Sequence, residues 1–200
     1  MTTPTECRRR IARGGWAEDR LLQRCAIPIG PRNTWSNLGY AAVGLLVAWH
    51  ARTGIALVFG AAMLALAVGS GLYHAWKTPR MNDLDWFGMY AVMSVLVLHG
   101  WLPRADGLAL GAVAIGGTAG VLFGMQRYHY DWHMLGLFLL AWLRATPQSL
   151  VALAAFGSML LAYGCWWVDR HTPTRWRWGH ACWHLLAAMA LGLTFLAQGD

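Results

Sequence analysis

Between Arg52 and Lys77 the chain reads TGIALVFGAAMLALAVGSGLYHAW, residues 53–76, and none of these 24 residues is charged. About 20 residues of α-helix cross a bilayer, so this run is long enough to span one. The pattern recurs. Uncharged stretches also lie between Arg32 and Arg52, Asp85 and Arg104, Asp106 and Arg127, Asp131 and Arg144, Arg144 and Asp169, and Arg177 and Asp200. Six of the seven hold 18 to 24 residues. The fifth, after Asp131, holds 12 and spans only if Tyr128, His129, Tyr130 and Asp131 join its helix. The expected fold is therefore all-α, an integral membrane bundle of seven transmembrane helices over residues 34–200. Six spans plus a re-entrant segment is the alternative.

Composition agrees. The 200 residues are 57% hydrophobic and 12% charged, about half the charge of a soluble domain, and the mean hydropathy is +0.38. Residues 1–33 are polar and Arg-rich, without the hydrophobic core of a cleavable signal. Within them, Trp16 to Arg24 reads as a short interfacial helix before the turn at Pro28, Gly30 and Pro31. The first span is expected to open with Asn33 or Thr34 as N-cap. The net charge of +7 sits at the ends of apolar runs, where topology and lipid headgroups favour cations, which argues against nucleic acid as a partner.

With seven spans, 13 of the 16 Lys and Arg fall on the side of the N-terminus and 3 (Arg52, Arg104, Arg144) on the other. The positive-inside rule then makes the N-terminus cytoplasmic, and the brevity and Arg-richness of the chain suggest a bacterial inner membrane. Many of the 13 Trp, among them Trp35, Trp76, Trp101 and Trp178, lie at span ends as an interfacial belt. The cysteines Cys7, Cys25, Cys165 and Cys182 have no paired metal spacing, and a cytoplasmic N-terminus would keep Cys7 and Cys25 reduced.

Ionisable residues inside the spans are costly in lipid and point to function. His180 and His184 stand at i, i+4 at the start of the seventh span, so both rings leave one helical face. His74 ends the second span, which reaches the same membrane side, and Ser70 lies one turn before it. Asp83 and Asp85 open the third span on that side. Topology thus gathers Ser70, His74, Asp85, His180 and His184 at one depth. Three histidines with a fourth position left open is the ligand set of a catalytic zinc. The histidine pair lacks the intervening Glu of zinc proteases, so a general base must come from elsewhere. His129 and His133 form a second i, i+4 pair around Asp131 and suit interfacial hydrogen bonding better than a second metal. His50 and His99 read as structural residues and His171 as solvated.

Four stretches carry a resemblance. Asn33-Thr34-Trp35-Ser36-Asn37-Leu38, Ser70-Gly71-Leu72-Tyr73-His74, Asp85 eleven residues after His74, and His180-Ala181-Cys182-Trp183-His184 resemble, in order, motifs of the alkaline ceramidases. These are seven-helix membrane hydrolases of the CREST superfamily, and the resemblance runs from about Trp16 to His184. It implies that His74, His180 and His184 hold Zn2+, that Asp85 is the base, and that Ser70 assists beside the metal. Asp83 is the rival for the base if the register slips by two. The family also carries a Ca2+ site built from N-terminal acids and a Glu just before its first motif. Here that Glu position reads Gly30, and Glu18 and Asp19 survive in a segment otherwise full of Arg, so the resemblance does not extend to calcium. That segment is suited to an anionic headgroup instead.

The expected activity is cleavage of the N-acyl amide bond of ceramide or a related N-acyl lipid within the membrane. The alternative is a lipid-binding seven-helix receptor or sensor with a structural zinc. A haem protein is a third reading, disfavoured because histidines at i, i+4 cannot sit on opposite sides of a haem. Oligomeric state is not legible in the sequence.

Overall fold

The computed structural model describes residues 27–103, 106–124, 131–145, 149–171 and 178–199, the side chains of residues 119–124, 131 and 132 excepted. The expected N-terminal interfacial helix, Cys7, Cys25, Glu18, Asp19 and His129 lie outside the described residues. The described residues are helical without a strand. They form α1 (Pro31–Ser36), α2 (Leu38–His50), α3 (Gly54–Trp76), α4 (Pro79–Trp101), α5 (Gly107–Gly124), α6 (Asp131–Trp142), α7 (Leu150–His171) and α8 (Gly179–Gln198).

Three of these, α3, α7 and α8, are long and apolar enough to cross a membrane. Shorter apolar stretches cover Gly107–Thr118 of α5 and His133–Trp142 of α6. Helix α4 has the length, but Arg80, Asp83 and Asp85 crowd its first turns. The outward surface is apolar as well: Trp49 is 85% exposed, and Leu45, Leu46, Leu108, Leu153 and Leu161 also face outward. Monomers in water rarely present such a surface, and hydrocarbon demands it.

The segment expected as the first span is divided between two helices. It starts at Pro31, with Gly30 as N-cap, and breaks at Asn37 into α1 and α2. The cause is local. The Asn37 side-chain amide donates to the Asn33 carbonyl at 2.7 Å and to the Thr34 carbonyl at 3.5 Å, competing for acceptors an unbroken helix would give to its backbone N–H groups. Asn33, expected as a cap, is instead fully buried inside the short helix.

Helix starts elsewhere follow the usual chemistry. Thr53, Thr78, Asp106 and Ser149 each accept a backbone N–H three residues on, at 3.4, 3.3, 2.8 and 3.1 Å. Between α3 and α4 there are two residues, Lys77 and Thr78. Lys77 closes α3 in the left-handed region (φ 51, ψ 40), a conformation that costs a non-glycine residue about 1 kcal/mol. Thr78 then caps α4 with Pro79 in its first turn. The tight reversal lays α4 antiparallel against α3.

The two helices nearly touch. A Cβ on Gly88 would lie 2.5 Å from the Leu66 Cα, and one on Gly69 would lie 2.6 Å from the Leu84 carbonyl oxygen. Small residues permit this backbone approach, which drives association where lipid removes the hydrophobic difference between inside and outside. Around the contact, Met63, Leu66, Val92, Val95 and Leu96 are buried, and Phe59 stacks on Phe195 of α8 at 4.5 Å between ring centres. At the far end of the bundle, His99 donates through Nε2 to the Gly199 carbonyl at 2.8 Å, while Gln198 donates to the Leu96 and Ala141 carbonyls at 3.1 and 2.9 Å. The structural role expected for His99 is what the structure shows.

Gly88→Ala is expected to lower stability in mild detergent by about 1–3 kcal/mol, because backbone cannot yield to the new methyl. Gly116→Ala, whose Cβ meets nothing within 4 Å, should be neutral or stabilising by about 0.5–1 kcal/mol. Thermal unfolding of the two variants side by side checks both.

Candidate metal centre

The tight α3–α4 reversal and the start of α8 bring together all five residues singled out from the sequence. Ser70 and His74 share one face of the last turns of α3, with His74 1% exposed. His180 and His184 share one face at the start of α8, with His184 2% exposed. Gly179 lets α8 begin hard against α7, since a Cβ there would sit 2.8 Å from the Asp169 Cβ.

The three imidazoles face one another. Ring centres are 4.7 Å apart for His74 and His180, 4.9 Å for His74 and His184, and 4.5 Å for His180 and His184. One nitrogen from each ring lies within 4.8 Å of the others. The Nε2 atoms of His74 and His180 are 3.1 Å apart. Two ligands at Zn–N bonds of about 2.05 Å in tetrahedral geometry stand about 3.3 Å apart, so this pair already has the spacing of shared coordination. The donor set therefore fits a metal ion: three buried neutral-capable nitrogens converging on one point. It is consistent with zinc and not specific to it, because imidazole also suits copper, iron and nickel. Among the described residues, no other His, Cys, Asp and Glu group has such convergence.

The acid follows the same logic. Asp85 is buried and accepts a hydrogen bond from the Ser70 hydroxyl, whereas Asp83, two residues earlier, is exposed. Asp85, not Asp83, is the acid turned inward, against Ser70 and within electrostatic reach of Lys77 and Tyr40. The Gly69 and Gly88 contacts explain how, because the Ser70–Asp85 pair bridges the helices they hold together.

Other histidines lie elsewhere. His50 and His133 are exposed. His171 is exposed, as expected, and donates from Nδ1 to the Trp167 carbonyl at 2.9 Å while stacking on that indole.

Three neighbours were not singled out from the sequence. Lys77 is buried, its ammonium donating to His74 Nδ1 at 2.9 Å and lying 4.6 Å from the centre of the Tyr73 ring. It also interacts electrostatically with His180, His184 and Asp85. Sequence reading treats it as a topology marker, and only the left-handed turn at Lys77 bends its side chain back onto α3. Tyr40 packs its ring 5.9 Å from His184 and interacts electrostatically with Asp85 and Tyr163. Ser36 touches His184 directly, with Oγ 2.7 Å from Nδ1.

Lys77 has a consequence for the tautomer of His74. An ammonium can only donate, so without an ion Nδ1 accepts and the ring proton sits on Nε2, whereas ligation through Nε2 would move that proton to Nδ1 and displace the ammonium. A scan against protein-family models returns no match for this chain, and no curated protein matches it.

One positive charge beside a divalent ion in a poorly screened interior opposes that ion by about 1.4 kcal/mol or more. Lys77→Met is accordingly expected to bind Zn2+ or Co2+ about tenfold more tightly than the parent chain. Competition against a chromophoric chelator measures it, and unchanged affinity would place the ammonium outside the field of the site.

Proposed function

We propose that this chain is a zinc-dependent intramembrane hydrolase that cleaves the amide bond of an N-acyl lipid, with a ceramide-like substrate as the leading candidate. It would be built as the seven-helix bundle of the alkaline ceramidases it resembles, with a cytoplasmic N-terminus. The observation that carries the proposal is the convergence of three buried imidazoles with a buried Ser70–Asp85 pair at one end of an apolar bundle.

His74, His180 and His184 would hold the ion. When bound, zinc supplies Lewis acidity toward an amide carbonyl and toward water. The rest is work for this chain's own groups. Asp85 takes the proton released when water adds to the amide carbon, and returns it to the departing nitrogen as the C–N bond breaks. Ser70, held against Asp85 at rest, is positioned to turn its hydroxyl proton toward the oxygen that gains negative charge. The products are a fatty acid and an amine. The apolar outer surface supports an acyl substrate already dissolved in the bilayer.

Calcium is not part of the proposal. Gly30 occupies the position of the family's Glu and is used through its backbone, its N–H donating to the His74 carbonyl at 3.2 Å.

Fatty-acid release from a panel of N-acyl lipids, run beside metal analysis, is the test. His184→Ala is expected to lose both metal and turnover. Asp85→Asn should keep the metal and lose about 10²–10⁴-fold in rate, the usual share of a general acid–base group. Bound lipid and stoichiometric zinc without turnover of any amide would favour a receptor or sensor. Full metal occupancy in His184→Ala would break the ligand set.

A further inference from the structure

The segment from Ile29 to Asn37 straps together the two helices that carry the histidines. At its start, the N–H groups of Ile29 and Gly30 donate to the carbonyls of Ala75 and His74 at 3.1 and 3.2 Å. These carbonyls belong to the last turn of α3, where an α-helix leaves its acceptors without partners. At its other end, Ser36 reaches α8, its Oγ lying 2.7 Å from His184 Nδ1. The strap thus grips α3 by backbone and α8 by a single side chain.

The direction of that last bond can be read from its surroundings. The Ser36 hydroxyl donates to the Asn33 carbonyl at 3.1 Å, and its one proton is thereby used. The Asn33 carbonyl also takes a hydrogen bond from the His184 ring, and a carbonyl can only accept. The Ser36 oxygen facing Nδ1 therefore calls for a proton on Nδ1, and the bond to the Asn33 carbonyl likewise needs a ring N–H. The Asn37 side chain, donating to the same Asn33 carbonyl at 2.7 Å, holds that oxygen in place across the α1–α2 break.

We infer that Ser36 is a positioning residue for the metal centre: with the Asn33 carbonyl it fixes the Nδ1–H tautomer of His184 and leaves Nε2 as a lone pair aimed at His74 and His180. A ligating histidine ordinarily donates its other ring N–H to such a partner, and loss of that partner costs about 10–100-fold in metal affinity. The inference rests on the metal-binding reading of the three histidines. It also gives the break at Asn37 a purpose, because an unbroken helix would use the Asn33 carbonyl for its own backbone.

The test compares Ser36→Ala, Ser36→Thr and Thr34→Val in the full chain in mild detergent. Thr34 donates to the Gly30 carbonyl at 2.7 Å, so Thr34→Val disturbs the strap without touching His184. Co2+ and Zn2+ affinities are measured by chelator competition, and nitrogen NMR of ring-labelled histidine reads the His184 tautomer in the metal-free protein. Ser36→Ala is expected to weaken metal binding 10–100-fold and to lose the uniform Nδ1–H signature. Ser36→Thr should restore both, and Thr34→Val should lower thermal stability with affinity unchanged. Parent-level affinity in Ser36→Ala would overturn the inference, as would a proton found on Nε2 of His184 in the parent chain. If Ser36→Ala fails to fold, the parent spectrum and Ser36→Thr still decide. Metal retained in His184→Ala sinks the metal reading itself, whereas metal lost there and kept in Ser36→Ala sinks only the role of Ser36.

Discussion

Three imidazoles packed within 4.9 Å of one another, ring centre to ring centre, set a condition that the rest of the bundle has to meet. Each ring carries one nitrogen that needs an acceptor and one that needs a donor, and in an apolar interior neither can go to water. A metal satisfies the inward-facing nitrogens together. The outward-facing ones then carry the ring protons and need acceptors, and for His184 these are the Ser36 oxygen and the Asn33 carbonyl. The Lys77 ammonium on His74 can only donate and so suits that ring without an ion. The left-handed backbone at Lys77 and the helix break at Asn37 are irregularities of the chain, and both bring a polar group to an imidazole. Local strain is tolerated where the surrounding structure over-determines it.

The two ends of the bundle solve different problems. At the far end, every polar group named is turned onto backbone. Arg144 lies over Trp101, with ring centre and guanidinium carbon 4.9 Å apart, and donates to the Gly100 carbonyl at 3.1 Å, beside the His99 and Gln198 bonds to α4, α6 and the C-terminus. Such contacts terminate helices and lock their spacing, and none leaves a side chain aimed at a shared point. At the histidine end, the side chains converge on one another instead. Rigidity at one end supports preorganisation at the other, since α4 and α8 run between them.

What was legible in the sequence is what depends on charge and on helical period. Uncharged runs anticipate the apolar helices, of which α3, α7 and α8 are long and apolar enough to cross a membrane, and the i, i+4 spacing of Ser70 with His74 and of His180 with His184 puts each pair on one face. Alternation of direction then assigns both faces to one end. Shared depth follows without any knowledge of packing. The choice between Asp83 and Asp85 did not follow from that alone, because two residues differ by about 200° around a helix, and which side faces the neighbour depends on how α3 and α4 meet. That is settled by Gly69 and Gly88, whose missing side chains let backbone touch backbone.

Lys77 and Ser36 were illegible for a related reason. A lysine at the end of an apolar run reads as a charge that stays in the headgroup region, and a cation there is favoured whatever it touches. Only a positive φ at that residue turns its side chain inward over Tyr73. For Ser36 the sequence offers a serine in a polar cluster just after Asn33 and Thr34, the expected caps, and nothing in it marks the serine out. The break one residue later frees the Asn33 carbonyl to accept from Ser36 and Asn37 together. The Ser36 hydroxyl is thereby left facing α8, 148 residues further along the chain. The reach from α1 to His184 is a property of two helices meeting, and no period within either of them encodes it.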